Sequence, residues 1–112
     1  MASKPLQTLL IGTSLANGSD AVVRAGIALA RLHGAAVHLL HAYDRRPTYG
    51  GETPEERGCD AGWMEACRAL EAQVARVCPD LSTAHQHIRP GAPREVLCDL
   101  ARELSADLVV LG

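Results

Sequence analysis

Apolar residues follow two rhythms along this chain. Short unbroken runs, Leu9-Leu10-Ile11, Ala36 to Ala42 (AVHLLHA) and Leu108 to Leu111, read as strands buried on both faces. Gly12-Thr13-Ser14 ends the first run as a turn. Asn17, Gly18, Ser19 and Asp20 then offer capping chemistry for a helix, and from Ala21 to His33 the positions Val22, Ala25, Leu29 and Leu32 share one helical face, with Gly34 placed as a C-terminal glycine. A second helix is predicted from about Ala61 to Cys78. There Trp63, Cys67, Leu70, Val74 and Val77 recur every three or four residues as a core stripe, and Pro79 follows the end. Ser82 to Arg89 is a weaker, polar strand suited to a sheet edge. Pro90-Gly91-Ala92-Pro93 turns into a third helix, Pro93 to Ser105, with Glu95 near its positive end and Val96, Leu97, Leu100 and Leu104 on the buried face.

Strand and helix therefore alternate from β to β through three helices. The implied class is α/β: an open parallel sheet with right-handed crossovers and helices on both faces. A ligand in such a fold sits at the carboxyl ends of the strands, here near Gly12 to Ser14, Ala42 and Gly112. Tyr43 to Gly62 is rich in Gly, Pro and charge without an apolar period, and its length suggests a mobile or functional loop. Leu108 to Leu111 looks like an interior strand one residue from the end of the sequence. The expectation is a sheet incomplete at its C-terminal end, or an edge covered by another segment or chain.

Composition narrows the function classes. With 112 residues the chain suits one domain, and 47% hydrophobic residues with 3% aromatic and no Phe imply an aliphatic core. A formal net charge of −2 with scattered arginines disfavours nucleic acid as a partner. Neither a signal peptide nor a membrane-length apolar run occurs, so the expected compartment is the cytoplasm. Cys59, Cys67, Cys78 and Cys98 form no C-x-x-C pair and are expected as free thiols, Cys67 as a small core residue. No G-x-S-x-G elbow is present, and no enzyme activity is expected. His85 and His87 alternate along one predicted strand. Were that strand to neighbour AVHLLHA, His38 would complete a set of three. Half-exposed polar residues on an edge strand is the plainer reading, and no metal is assigned.

Two stretches together resemble the universal stress protein family. Leu9 to Tyr43 (LLIGTSLANGSDAVVRAGIALARLHGAAVHLLHAY) resembles its first β-α-β unit, and Arg89 to Gly112 (RPGAPREVLCDLARELSADLVVLG) resembles its G-x-P…ADLIVMG stretch. The resemblance implies a Rossmann-like sheet of the adenine nucleotide alpha hydrolase type, here spanning residues 1–112 and lacking the last strand and helix. It also implies a homodimer or a tandem domain partner, and in one branch of the family an ATP site. Carried onto this chain, the ribose position falls on Ser14 after Gly12 and Thr13, the adenine position on Ala42, and the start of the phosphate loop on Leu111 and Gly112. Ser14 stands where the ATP-binding branch has Asp, and one hydroxyl cannot supply a carboxylate's paired acceptors to a ribose diol. The resemblance thus implies a stress-response protein acting mainly through protein contacts, with ATP binding impaired or absent. The alternative is an ATP-binding member, should the full gene product carry the phosphate loop. A phosphoacceptor response-regulator domain shares the general topology but needs acidic residues where this chain reads Gly12-Thr13-Ser14 and Arg89-Pro90-Gly91.

Overall fold

The computed structural model describes residues 6–16, 18–43 and 61–111. Four strands, β1 (Thr8–Gly12), β2 (Ala36–Tyr43), β3 (Gln86–Pro90) and β4 (Leu108–Leu111), alternate with α1 (Ser19–His33), α2 (Ala61–Val77) and α3 (Pro93–Leu104). All strand pairs are parallel and the order across the sheet is β3-β2-β1-β4. This is the predicted alternation, and β3 does lie at an edge.

Position in the sheet explains each strand's composition. β1 is central, and Leu9, Leu10 and Ile11 have no exposed surface at all. Leu9 and Ile11 enter one layer with Val23, Ile27 and Ala30 of α1 and Leu70 and Val74 of α2. Leu10 enters the opposite layer with Leu40 of β2 and Leu97 and Leu100 of α3. Alternate side chains of one strand thus feed two cores, which is why β1 reads as an unbroken aliphatic run. The edges are more polar or more exposed, as β3 and β4 are.

Two helical faces differ from the sequence expectation. On α1 the buried positions are Val23, Gly26, Ile27 and Ala30, not the stripe led by Val22 and Ala25, and Leu32 is 79% exposed. The runs Ala21-Val22-Val23 and Ala28-Leu29-Ala30 permit either phase, and contact with Leu9 and Ile11 selects one. On α2 the stripe is Ala66, Leu70, Val74 and Cys78, with Gln73 also buried. Cys67 and Val77 are half-buried, and Trp63 at the helix start is 38% exposed. Cys78, rather than Cys67, is therefore the core thiol. α1 is capped by Gly18 in the left-handed region (φ 94°), without a side-chain cap bond. A glycine meets that backbone demand without strain, so the capping chemistry expected of Ser19 and Asp20 is used elsewhere. Asn17, Cys59 and the stretch 44–60 lie outside the described residues. No helix among the described residues is long and apolar enough to cross a membrane.

The two phases of α1 are separable by stability. Ile27→Ala is expected to cost about 2–5 kcal/mol in urea unfolding, whereas Leu32→Ala should stay within about 0.5 kcal/mol. Equal costs would contradict the assigned face.

Candidate functional site

At the carboxyl ends of β1 and β2 the chain leaves the sheet through Thr13 and Ser14. Thr13 N–H still donates to Leu40 O at 2.9 Å, extending the β1–β2 pairing by one residue. The chain then turns: Leu15 N–H donates to Thr13 Oγ1 (3.2 Å), Ala16 N–H donates to Ser14 Oγ (3.3 Å), and Leu15 adopts φ 62°. Both hydroxyls thus accept backbone bonds, as short hydroxyl side chains do in turns. His41, one residue from the end of the β1–β2 register, donates from Nδ1 to Thr13 O at 2.8 Å. A carbonyl only accepts, so the proton sits on Nδ1 and the neutral ring offers Nε2 as an acceptor.

Above this turn lies an open cleft of about 390 Å³. Gly12, Thr13, Ser14, Ala42 and Leu111, five of the six residues read from the sequence, all line it. The sixth, Gly112, lies outside the described residues. Leu40, His41, Pro93 and Leu97 complete the lining. Pro93 and Leu97 belong to α3, whose N-terminal turn reaches the cleft because β3 ends nearby. Their i, i+4 spacing was visible in the sequence, but nothing local distinguishes a cleft wall from a core stripe. Gly12 is needed by close approach: a Cβ there would stand 3.1 Å from Leu111 Cδ2 and 3.2 Å from Leu97 Cδ1.

The lining is largely apolar. His41 is its only titratable side chain among the described residues, with no Asp, Glu, Lys or Arg. It offers hydroxyls and one imidazole, and among the described residues no charged pair for acid–base or phosphate chemistry.

Behind the turn, α1 is tied to α2 by a polar network. Gln73, fully buried, donates through Nε2 to Ser19 Oγ (2.9 Å) and Asp20 Oδ1 (2.8 Å), and its Oε1 has no hydrogen-bond partner. Ser19 Oγ donates to Ala16 O at 2.7 Å. Arg76 grips Asp20 with two bonds, Nε to Oδ2 at 3.0 Å and Nη2 to Oδ1 at 3.1 Å. Those bonds, and the one from Gln73, hold the Asp20 carboxyl down at about 2. The sequence carried no local signal for this network, because Gln73 stands beside, not in, the apolar stripe read there.

The histidines do meet. His38 of β2 stacks on His85 at a ring separation of 4.2 Å and on His87 at 5.2 Å. His85, however, lies in a short 3-10 turn (Thr83–His85) before β3 rather than in the strand. The rings lie face to face, and among the described residues no group of three or more His, Cys, Asp or Glu is arranged to hold a metal ion. The thiols are no better placed for chemistry: burial pushes Cys67 and Cys78 up from the usual thiol range, away from the reactive thiolate.

Comparison with known proteins places the whole arrangement. The model of the universal stress protein family matches residues 5–112. The chain is similar to the universal stress protein E homolog of Haemophilus influenzae, with 32% identity over 99 residues, covering 81% of this chain. It spans 30% of the length of that relative. A solved universal stress protein in complex with cAMP is 25% identical, with a TM-score of 0.68 over 96% of this chain and 76% of that one. A family structure from Burkholderia pseudomallei has a TM-score of 0.74 at 22% identity, covering 99% of this chain and 84% of its own.

The Asp20 grip yields a pH test. Its folded value lies below the ordinary 3.8, so the stabilisation is present above that pH and is lost as pH falls toward 2. By carboxyl-carbon NMR, Asp20 is expected to remain mostly ionised at pH 3. In Arg76→Ala the midpoint should return toward 3.8, and an unshifted midpoint in the unaltered chain would refute the grip.

Proposed function

This chain belongs to the universal stress protein family, and we propose that it acts in the stress response mainly through contacts with other protein segments, without catalytic turnover and with ATP binding impaired or absent. The observation that carries the proposal is the outer edge of β4. Among the described residues β4 pairs with β1 alone, while Leu108 and Val109 are each 37% exposed and Leu111 is 69% exposed. An aliphatic strand edge of this kind takes a further strand, supplied by another segment of the protein or by another chain. A second copy of the chain and a tandem domain are the partners this reading favours, in the cytoplasm.

The cleft supports the other half of the proposal. A nucleoside triphosphate carries several negative charges, and the described lining offers no cation to oppose them. Ser14 presents one hydroxyl, already accepting from Ala16 N–H, where a ribose diol would be held by two carboxylate oxygens. Ser14, Thr13 and His41 in an apolar wall are likewise poor equipment for turnover.

A second reading, ATP or another adenine nucleotide in the cleft, has specific support. The cleft has the volume and strand-end position of a nucleotide site, with Gly12, Thr13, Ser14, Ala42 and Leu111 grouped around it. One solved relative is a complex with cAMP.

Calorimetry and sedimentation separate the two. Titration with ATP is expected to give no saturable heat at micromolar concentrations, and saturation in that range would overturn the first reading in favour of the second. Sedimentation velocity is expected to show concentration-dependent association of the chain, weakened at least about tenfold by Leu108→Lys, since a charge on an edge strand opposes pairing. A chain that stays monomeric at every concentration would remove the support that the β4 edge gives to self-association.

A further inference from the structure

The three imidazoles are joined by more than proximity. His38 Nδ1 and His87 Nε2 lie 3.0 Å apart and share one proton across the gap. His85 Nδ1–H donates to Val37 O at 2.9 Å, anchoring the 3-10 turn to the backbone of β2. All three rings are half-buried. Together these contacts hold the entry of β3 onto β2, where the strand register begins at Leu39 and Gln86 and continues through Ala42 and Arg89. Among the described residues β2 is the one neighbour of β3, so the cluster guards one end of a single-sided attachment.

The surroundings supply little to neutralise added charge. Arg89 on β3 faces His87 as a like charge. Among the described residues Glu103 on α3 is the one facing carboxylate, and it is engaged by Arg89 Nη2 at 2.7 Å. The β1 residue registered opposite His38 is Leu10, which brings no charge. With every ring neutral, each ring nitrogen named above has its partner. One added proton leaves the His38–His87 bridge intact. With His38 and His87 both cationic, two N–H groups face each other across the gap and the bridge is lost.

We propose that His38, His85 and His87 form a proton-operated latch, which holds the edge strand β3 on β2 when the rings are neutral and releases it when two are cationic. Release would uncover the backbone N–H and C=O groups of β2 from Leu39 to Tyr43, a strand-accepting edge distinct from that of β4. The latch is independent of whether the cleft takes a nucleotide.

Desolvation pulls His38 and His87 below 6.5, with neighbouring histidines adding to it for both and Arg89 for His87. The folded values lie under the unfolded ones, so the unfolded or released state binds more protons. The latch is therefore fully closed above pH 6.5 and weakens as pH falls below it. Each proton taken up on release changes the opening equilibrium by up to about tenfold per pH unit.

The test reads ring protons and backbone amides in the intact chain. By NMR titration His38 and His87 are expected to titrate below the exposed His33. Amide exchange, corrected for intrinsic rates, should show residues 86–90 losing protection at least about tenfold more than residues 8–12 between pH 7.5 and pH 5.5. His38→Gln, which keeps a hydrogen-bonding group at the site without a titrating one, should flatten that pH dependence, and His33→Gln should leave it unchanged. Should His38→Gln fail to fold, the titration of the unaltered chain still decides. Midpoints of His38 and His87 equal to that of His33, or a uniform loss of protection across the sheet, would overturn the latch.

Discussion

Burial of β1 on both faces is the constraint from which the rest of the molecule follows. A strand in that position must place an apolar side chain at every residue, and Leu9, Leu10 and Ile11 do so. Leu9 and Ile11 then dictate which side of α1 and α2 can pack, and Leu10 dictates where α3 lies. The same burial leaves the backbone of β1 with hydrogen-bond partners only within the sheet, so β2 and β4 must both pair with it in register. Within the sheet itself, polar side chains are consequently confined to the ends and edges, and the one buried polar network described lies between α1 and α2. The strand ends carry the cleft, one edge carries the histidines, and the other carries exposed aliphatic residues.

Element order and the location of the cleft were legible in the sequence because both depend on local, short-range signals. Aliphatic runs ending in Gly12-Thr13-Ser14, and Pro93 at the start of a helix, fix strand ends without knowledge of the partners. Helical phase was less legible. Val22 and Val23 are equally apolar neighbours, and only contact with β1 distinguishes them, so Leu32 read as core and is exposed. Trp63 illustrates a different limit. Its spacing fits the α2 stripe, yet it lies at the helix start, past the surface that covers the sheet. Gln73 shows that a buried polar residue carries tertiary information that periodicity cannot decode, because its partners Ser19 and Asp20 sit more than fifty residues away.

The two ends of the strand β2 present contrasting uses of the same residue type. His41 has a fixed tautomer, set by the carbonyl of Thr13, and it stiffens the turn that floors the cleft. His38, three residues earlier, shares its proton with another imidazole and stacks on a third ring. An imidazole bonded to a carbonyl is a fixed strut, whereas one bonded to another imidazole has a proton with two available homes. Local partner identity, not burial alone, separates the structural histidine from the responsive ones.

Asp107 ties the approach to β4 to the start of β1: its Oδ2 accepts from Gln7 N–H at 2.9 Å and from Thr8 N–H at 3.0 Å, contacts 100 and 99 positions apart in sequence. β4, just beyond it, is also the second hydrogen-bonding neighbour of β1. Residues leave the ribosome in order, so of these four strands β1 is made before the others and gains its second neighbour only when β4 follows. While α1, β2, α2, β3 and α3 are being made, its Leu9-Leu10-Ile11 run waits with one flank unpaired, so a segment fully buried in the fold stays open to chaperones and to neighbouring nascent chains until β4 emerges.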